Sequence, residues 1–117
     1  MKVFDSELKV LEVLWERGDT SAKDLAAILN EQVDWSKTTT YTVIKKCTDK
    51  GLISRKEPNF ICSAQITKNE VRETETTDLI NRVYDGMADE LVASILGRKK
   101  LSNTEIEKLK KLINELE

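Results

Sequence analysis

The chain has 117 residues, with 19 basic and 21 acidic side chains, no histidine and a formal net charge of −2. This length suits one domain, or a small domain with an appended oligomerisation segment, and the scarcity of proline and glycine predicts a mostly helical protein. No apolar run of membrane-spanning length and no signal-peptide pattern is present, so we expect a cytoplasmic protein without a membrane partner. The lack of histidine, of a glycine-rich phosphate loop and of a GxSxG-type nucleophile motif argues against an enzyme, and no cofactor is expected.

Two short amphipathic helices are predicted in the first third of the chain. Ser6 is placed to cap a helix over residues 7–17, which Gly18 ends. Ser21 is placed to cap a second helix over about residues 22–31. The side chains that would be buried share one face of each helix and are Leu8, Leu11, Leu14, Trp15, Leu25, Ile28 and Leu29.

A third helix, predicted over residues 37–50, has two chemically different faces. Ser36 can serve as its N-cap, Trp35 can pack back onto its apolar face, and Gly51 follows its last turn. At 100° per residue, the side chains on the apolar face are Thr40, Val43, Ile44 and Cys47. The opposite face carries Thr38, Tyr41, Thr42 and Lys45, with Thr39 and Lys46 on its flanks.

The outward face of this helix and its surroundings are rich in hydrogen-bond donors and positive charge. Residues 36–56 hold six basic side chains and one acid, or +5, whereas the other 96 residues hold 13 basic and 20 acidic groups, or −7. Hydroxyl and ammonium groups can donate to phosphate oxygens and to base edges in a major groove. A merely solvated face is the alternative, although β-branched threonines are mediocre helix formers and a poor choice for solubility alone. The pattern is typical of the recognition helix of a DNA-binding helix-turn-helix.

Two short strands are predicted next, over residues 52–56 and 60–66, around the turn signal at 57–59. Three helices followed by a hairpin is the order of a winged helix, in which the hairpin is the wing and Arg55, Lys56 and Asn59 lie near its tip. Cys47 is expected in the core, whereas the role of Cys62 stays open. Without histidine, a metal site would need two thiols and carboxylates, and none is predicted.

Three further helices are predicted in residues 67–117. The first two cover residues 68–85 and 87–96, and the third begins after a capping box formed by Ser102 with Glu105. A polar break at 97–100 separates the last two. About fifty residues in short amphipathic helices make a weak independent core, so packing against a second copy is the economical arrangement, and docking onto the winged helix of the same chain is the alternative. We therefore predict a winged-helix DNA-binding domain at 1–66 and a helical dimerisation domain at 67–117. The predicted homodimer interface comprises Leu79, Val83, Leu91, Ile95, Leu109, Ile113 and Leu116.

Several short motifs give the chain a family resemblance over nearly its whole length. They are Glu12-Val13-Leu14-Trp15, Asp34-Trp35-Ser36, Thr38-Thr39, Lys50-Gly51-Leu52-Ile53, Leu79-Ile80-Asn81-Arg82-Val83-Tyr84 and Leu101-Ser102. On these motifs the chain resembles the penicillinase and methicillin-resistance repressors, the BlaI/MecI/CopY group.

The resemblance implies a mainly α winged-helix repressor whose C-terminal helices form a homodimer on double-stranded DNA. Its operators would be palindromes built on a TACA/TGTA core, and the regulated genes would be a resistance or stress operon. At Tyr41, several relatives have a basic residue instead. The residues that the resemblance and the helix faces assign to DNA are Lys37, Thr38, Thr39, Tyr41, Thr42, Lys45, Lys46, Arg55 and Lys56.

Two departures from the family pattern concern the inducing signal. The copper-responsive branch ends in a cysteine-rich tail of the CxC kind, which this sequence lacks, so direct copper sensing is not expected. The β-lactam-responsive branch is inactivated by proteolysis at an Asn-Phe pair, whereas the corresponding place here is Ser94-Ile95, so the resemblance does not fix the inducing signal. Ser94-Ile95 is the candidate site for a sensor-controlled protease if the same mechanism applies. Among other functions, the main alternative is a winged-helix module whose third helix docks on a partner protein instead of DNA.

Overall fold

The computed structural model of the chain describes residues 2–97 and 101–116, and within them the protein is mostly helical with one small antiparallel sheet, as predicted. It divides into two compact units, Met1–Glu75 and Thr76–Glu117. In chain order the elements are α1 (Asp5–Arg17), β1 (Thr20–Ser21), α2 (Ala22–Val33), α3 (Lys37–Asp49), β2 (Ile53–Lys56), β3 (Ile61–Ala64), α4 (Lys68–Val83), α5 (Ala88–Gly97) and α6 (Asn103–Glu115).

The first two helices begin at capping interactions, one of which differs from the prediction. Helix α1 starts two residues earlier than expected, because Glu7 reaches back to accept the backbone N–H of Phe4 at 2.8 Å and Phe4, not Ser6, is the N-cap. Ser21 caps α2 as predicted, since its hydroxyl oxygen accepts the N–H of Asp24 at 3.1 Å. Helix α2 runs on to Val33, two residues beyond the predicted end.

Helix α3 is closed at both ends by the predicted residues. The Ser36 hydroxyl accepts the N–H of Thr39 at its start. At its end, Gly51 has φ +77°, a left-handed conformation that a glycine adopts without penalty. The N–H of Leu52 then donates to the carbonyl of Cys47 at 2.9 Å, and that of Gly51 to the carbonyl of Thr48 at 3.0 Å. These two bonds form a Schellman motif, which turns the chain directly into β2.

The sheet has three antiparallel strands in the order β1-β3-β2. The hairpin of β2 and β3 was predicted, and its register pairs Arg55 with Cys62 and Lys56 with Ile61. Strand β1 was not predicted, because two residues are too short to show an alternating pattern. Ser21 both pairs with Ile61 and caps α2, so the sheet edge leads straight into that helix.

One hydrophobic core lies between α1, α2, α3 and the sheet. The apolar face of α3 is confirmed, since Thr40, Val43, Ile44 and Cys47 are all buried. Fully buried partners from the other elements include Val10, Leu11, Leu25, Leu29, Ile53 and Cys62. The start of α4 belongs to this core through Val71, which is 6% exposed, so the first compact unit extends to Glu75. The functional division at residue 66 stays a prediction.

A buried ion pair joins the start of α1 to the end of α3. The Glu7 side chain is only 1% exposed, and its Oε1 lies 2.7 Å from Nζ of Lys50. The same ammonium group donates to the carbonyl of Lys2 at 3.1 Å and lies 4.1 Å from the centre of the Phe4 ring. Lys50 was counted in the net charge of +5 for residues 36–56, but in the structure its charge is neutralised by Glu7.

Lys50→Met should lower the free energy of unfolding by about 2–3 kcal/mol. Breaking a fully buried pair costs about 3–5 kcal/mol, and the 27% exposure of the Lys50 side chain reduces that figure through solvent screening. Urea denaturation measures the change, with the exposed Lys46→Met on the same helix as the matched control. Equal midpoints for the two variants would show that the pair contributes nothing.

The second unit exposes much of its apolar surface. No residue of α5 or α6, as far as these helices are described, is buried. Among the predicted interface residues, Leu79, Leu91 and Leu109 are half-buried and Val83, Ile95, Ile113 and Leu116 are exposed. Exposed apolar side chains are therefore concentrated in the second unit.

The boundaries of the second unit follow local turn and capping signals. Helix α4 ends at Val83, two residues before the predicted end, because the N–H of Gly86 closes a turn on the carbonyl of Ile80. The capping box of Ser102 with Glu105 is confirmed, and its hydrogen bonds lower the pKa of the Glu105 carboxyl. Residues 98–100 of the predicted break lie outside the described residues. None of the helices in residues 2–97 and 101–116 combines the length and the hydropathy that spanning a lipid bilayer requires.

Candidate nucleic-acid interface

The outer face of α3 forms a shallow, open groove of about 430 Å³. Its lining residues carry hydroxyl, ammonium and phenol groups together with the methyl groups of threonine and the carbon stems of lysine. All of the lining residues belong to the set predicted to contact DNA. They are Lys37, Thr38, Tyr41, Thr42 and Lys45.

The threonine hydroxyls of this face differ in what they can offer a ligand. Thr42 donates its hydroxyl proton to the carbonyl of Thr38 at 2.9 Å, which leaves its oxygen lone pairs and its methyl group for external contacts. Those groups suit a base amino group and a thymine methyl. The Thr39 hydroxyl lies 2.9 Å from that of Ser36 in the N-cap, so Thr39 sits at the start of the helix and not in the groove.

Tyr41 is not the freely outward side chain that the helix projection suggested. It is half-buried and packs against the core, with its ring 6.0 Å from that of Phe60 at an interplanar angle of 77°. The reason is that Phe60, at the turn of the wing, packs against α3. A projection of α3 alone does not include this contact. The ammonium group of Lys37 lies 5.6 Å from the ring centre of Tyr41.

The basic residues around the groove fall into two groups. Lys45 pairs with Asp49 at 3.1 Å, and Arg55 pairs with Glu57 at 2.7 Å. The remaining cations of the predicted set are exposed and form no ion pair with an acid in the described part of the chain. They are Lys37, Lys46 and Lys56.

Two further wing residues, absent from the predicted set, take part in this surface. Glu57 accepts a hydrogen bond from Arg55, and the Arg55 guanidinium lies 3.7 Å from the centre of the Phe60 ring. The sequence carries only a weak signal for them, an acid two residues after an arginine and an aromatic residue after the turn.

The two cysteines offer no reactive or metal-binding group at this surface. Both are fully buried in the core, which settles the open role of Cys62. Burial raises the pKa of Cys47 to about 12, with a smaller contribution from Glu7, and burial raises that of Cys62 to about 11. Both are therefore protonated thiols at neutral pH. Residues 2–97 and 101–116 contain no cluster of three or more acidic or thiol side chains that could hold a metal ion.

Comparison with known proteins gives consistent matches along the chain. The family described as "Penicillinase repressor" matches residues 4–115. The methicillin resistance regulatory protein MecI of Staphylococcus aureus (strain N315) is 29% identical over 115 residues, covering 97% of this chain and 94% of the relative. The penicillinase repressor of Bacillus licheniformis is 24% identical over 116 residues, covering 97% and 91%.

Solved structures match the winged-helix part. The solution structure of the DNA-binding domain of the repressor BlaI aligns with a TM-score of 0.55 at 21% identity, over 59% of this chain and 87% of that one. The monomeric form of Bacillus licheniformis BlaI in complex with the blaP half-operator aligns with a TM-score of 0.52 at 21% identity, over 60% and 88%. These two likenesses show a shared fold. With the family match over residues 4–115, they show that the chain belongs to the penicillinase repressor family, the BlaI/MecI/CopY group, whose members are transcriptional repressors and not enzymes.

Proposed function

We propose that the protein is a sequence-specific transcriptional repressor that binds a palindromic operator as a homodimer and controls a resistance or stress operon. The observation that carries the proposal is the outer face of α3, where five polar or cationic side chains line one open groove. Donors, acceptors and methyl groups at this spacing on a helix suit the major groove of double-stranded DNA.

The side chains divide into two roles in this proposal. Thr38, Tyr41 and Thr42 lie in the groove and read base edges. The cationic side chains of α3 and of the wing, together with Thr39 at the start of α3, contact phosphates and set the register of the protein on the duplex. These phosphate contacts come from Lys37, Thr39, Lys45, Lys46, Arg55 and Lys56.

The homodimer is supported by the exposed apolar side chains of the second unit. Four of its predicted interface residues are exposed, including Leu116 at 85% and Ile113 at 58%. The solved BlaI complex contains a monomeric form on a half-operator, so a full operator of two half-sites suits two copies of such a chain. In this arrangement residues 1–66 bind DNA and residues 67–117 hold the two copies together.

In this proposal, a sensor-controlled protease releases the protein from DNA by cutting the chain at Ser94-Ile95. Both residues lie inside α5, where Ser94 is half-buried and Ile95 is 46% exposed. A protease needs an extended substrate, so cleavage requires local opening of this helix.

Substitutions on the two faces of α3 test the DNA assignment. Thr42→Ala should leave the melting temperature nearly unchanged and weaken specific binding by about 1–3 kcal/mol, because it removes a base contact. Ile44→Ala should instead lower the free energy of unfolding by about 2–5 kcal/mol, because Ile44 is fully buried. Fluorescence anisotropy on a duplex with inverted TACA/TGTA repeats measures the binding, and thermal unfolding measures the stability.

A scrambled duplex of the same length is the control for specificity. Tyr41→Ala is not a clean probe, because its half-buried ring also supports the wing. If Thr42→Ala binds both duplexes as the unchanged protein does, Thr42 reads no base. If the affinity of the unchanged protein is indifferent to salt concentration and to the DNA sequence, the result favours the alternative in which α3 docks on a partner protein.

A further inference from the structure

A continuous row of charged and aromatic side chains links the wing to α3. Glu57 contacts Arg55, Arg55 lies over the face of Phe60, and Phe60 meets Tyr41 edge to face. Lys37 at the start of α3 completes the row, with its ammonium over the ring of Tyr41. The position of the Arg55 charge is therefore tied to the groove that we assign to DNA.

The two contacts that hold Arg55 are different in kind. Its guanidinium lies 3.7 Å from the centre of the Phe60 ring, which fixes the plane of the group by cation–π attraction. Its Nε and one terminal nitrogen lie 2.8 and 2.7 Å from Oε1 of Glu57, which neutralises its charge. Because the stack on Phe60 does not depend on Glu57, loss of Glu57 would release the charge of Arg55 while the stack still holds its position.

We infer that Glu57 is an internal counter-ion that competes with DNA phosphate for Arg55 and so limits the affinity of the wing for DNA. The inference rests on the proposed function. A phosphate that approaches Arg55 meets a carboxylate within a Debye length, and its repulsion opposes the attraction of the guanidinium. Glu57 is thus a positioning residue that acts through Arg55.

The size of the effect follows from the exposure of the pair. The side chains of Arg55 and Glu57 are 51% and 61% exposed, so the pair is weak and can open on contact with DNA. Exposed pairs contribute about 0.2–1 kcal/mol, which corresponds to about 1.4- to 5-fold in affinity for each arginine released. Two protomers on one operator would together gain about 2- to 25-fold.

The experiment compares Glu57→Gln with Glu16→Gln in the full-length protein. Glutamine removes the charge of residue 57 but keeps an oxygen that can accept the N–H of Phe60, which lies 3.4 Å from Oε2. Glu16 is an exposed glutamate of α1, so its variant makes the same change in net charge away from the wing. Binding to the palindromic duplex is measured by anisotropy across a range of salt concentrations, and melting temperatures confirm that the variants fold.

Glu57→Gln should bind about 2- to 25-fold more tightly than Glu16→Gln, with a salt slope steeper by up to about 1.8, or 0.9 for each arginine that gains a phosphate. In an Arg55→Gln background, Glu57→Gln should tighten binding less than it does when Arg55 is present, because no guanidinium is released. Equal affinity and slope for the two single variants, or weaker binding by Glu57→Gln, would overturn the inference while the proposed function stands. Failure of the unchanged protein to bind DNA in a salt-dependent way would overturn both.

Discussion

Raising the salt concentration from 50 to 200 mM should weaken operator binding by about 10³–10⁵-fold, as six to ten phosphate contacts imply. Three lysines of each protomer, Lys37, Lys46 and Lys56, have no acidic partner in the described structure and give six contacts in a dimer. Lys45 and Arg55 raise the total to ten if they leave Asp49 and Glu57. Lys50 adds none, because it is held by the buried Glu7.

Anisotropy titrations at several KCl concentrations measure this effect. A plot of log K against log salt should have a slope of about −5 to −9, since each neutralised phosphate contributes about −0.9. Lys46→Gln should make the slope shallower by about 0.9 per protomer. Glu16→Gln on α1 serves as the control and should leave the slope unchanged. A slope near zero for the unchanged protein would exclude a phosphate-binding surface.

A fragment that ends at Ser94 should be monomeric and should lose most of its operator affinity. It lacks four of the seven predicted interface residues. The three that remain would have no complete apolar surface to pack against in a second copy. A single winged helix makes few contacts, whereas a dimer engages two half-sites about one helical turn apart at a high effective concentration. The residues lost are Ile95, Leu109, Ile113 and Leu116.

Analytical ultracentrifugation of the fragment and of the full chain measures the oligomeric state. Thermal unfolding is the control, since the fragment keeps the whole first unit, Met1–Glu75, with its hydrophobic core. A fragment that still dimerises and binds as tightly as the full chain would refute the assignment of residues 67–117 to dimerisation. Proteolysis at Ser94-Ile95 would then not release DNA by separating the two copies.

The features that the sequence predicted correctly depend on short-range interactions. Ser21, Ser36 and Ser102 cap their helices through a backbone N–H three residues away, and the apolar face of α3 follows from helical periodicity. Both signals lie within one or two helical turns, so they are visible without knowledge of the fold.

The features that the sequence did not reveal depend on distant partners. Lys50 is paired with Glu7, 43 positions away, and therefore leaves the set of cations that the charge count had included. Tyr41 is half-buried because Phe60 returns from the far side of the wing turn. Strand β1 exists because β3 pairs with it. In each case tertiary packing, which no local pattern encodes, decides the exposure and charge of a residue near the candidate site.

Because the two native thiols are buried and protonated, a thiol-reactive probe can be attached to an introduced cysteine for site-directed spectroscopy. With pKa values of about 12 and 11, Cys47 and Cys62 would be thiolates in no more than about one molecule in ten thousand at pH 7. An exposed cysteine with a pKa near 8.5 has a thiolate fraction of about a few per cent. A probe attached through Asn59→Cys at the exposed turn of the wing would therefore react selectively, without removal of the native cysteines. Paired spin labels at that position would report the distance between the two wings of a dimer, with and without DNA.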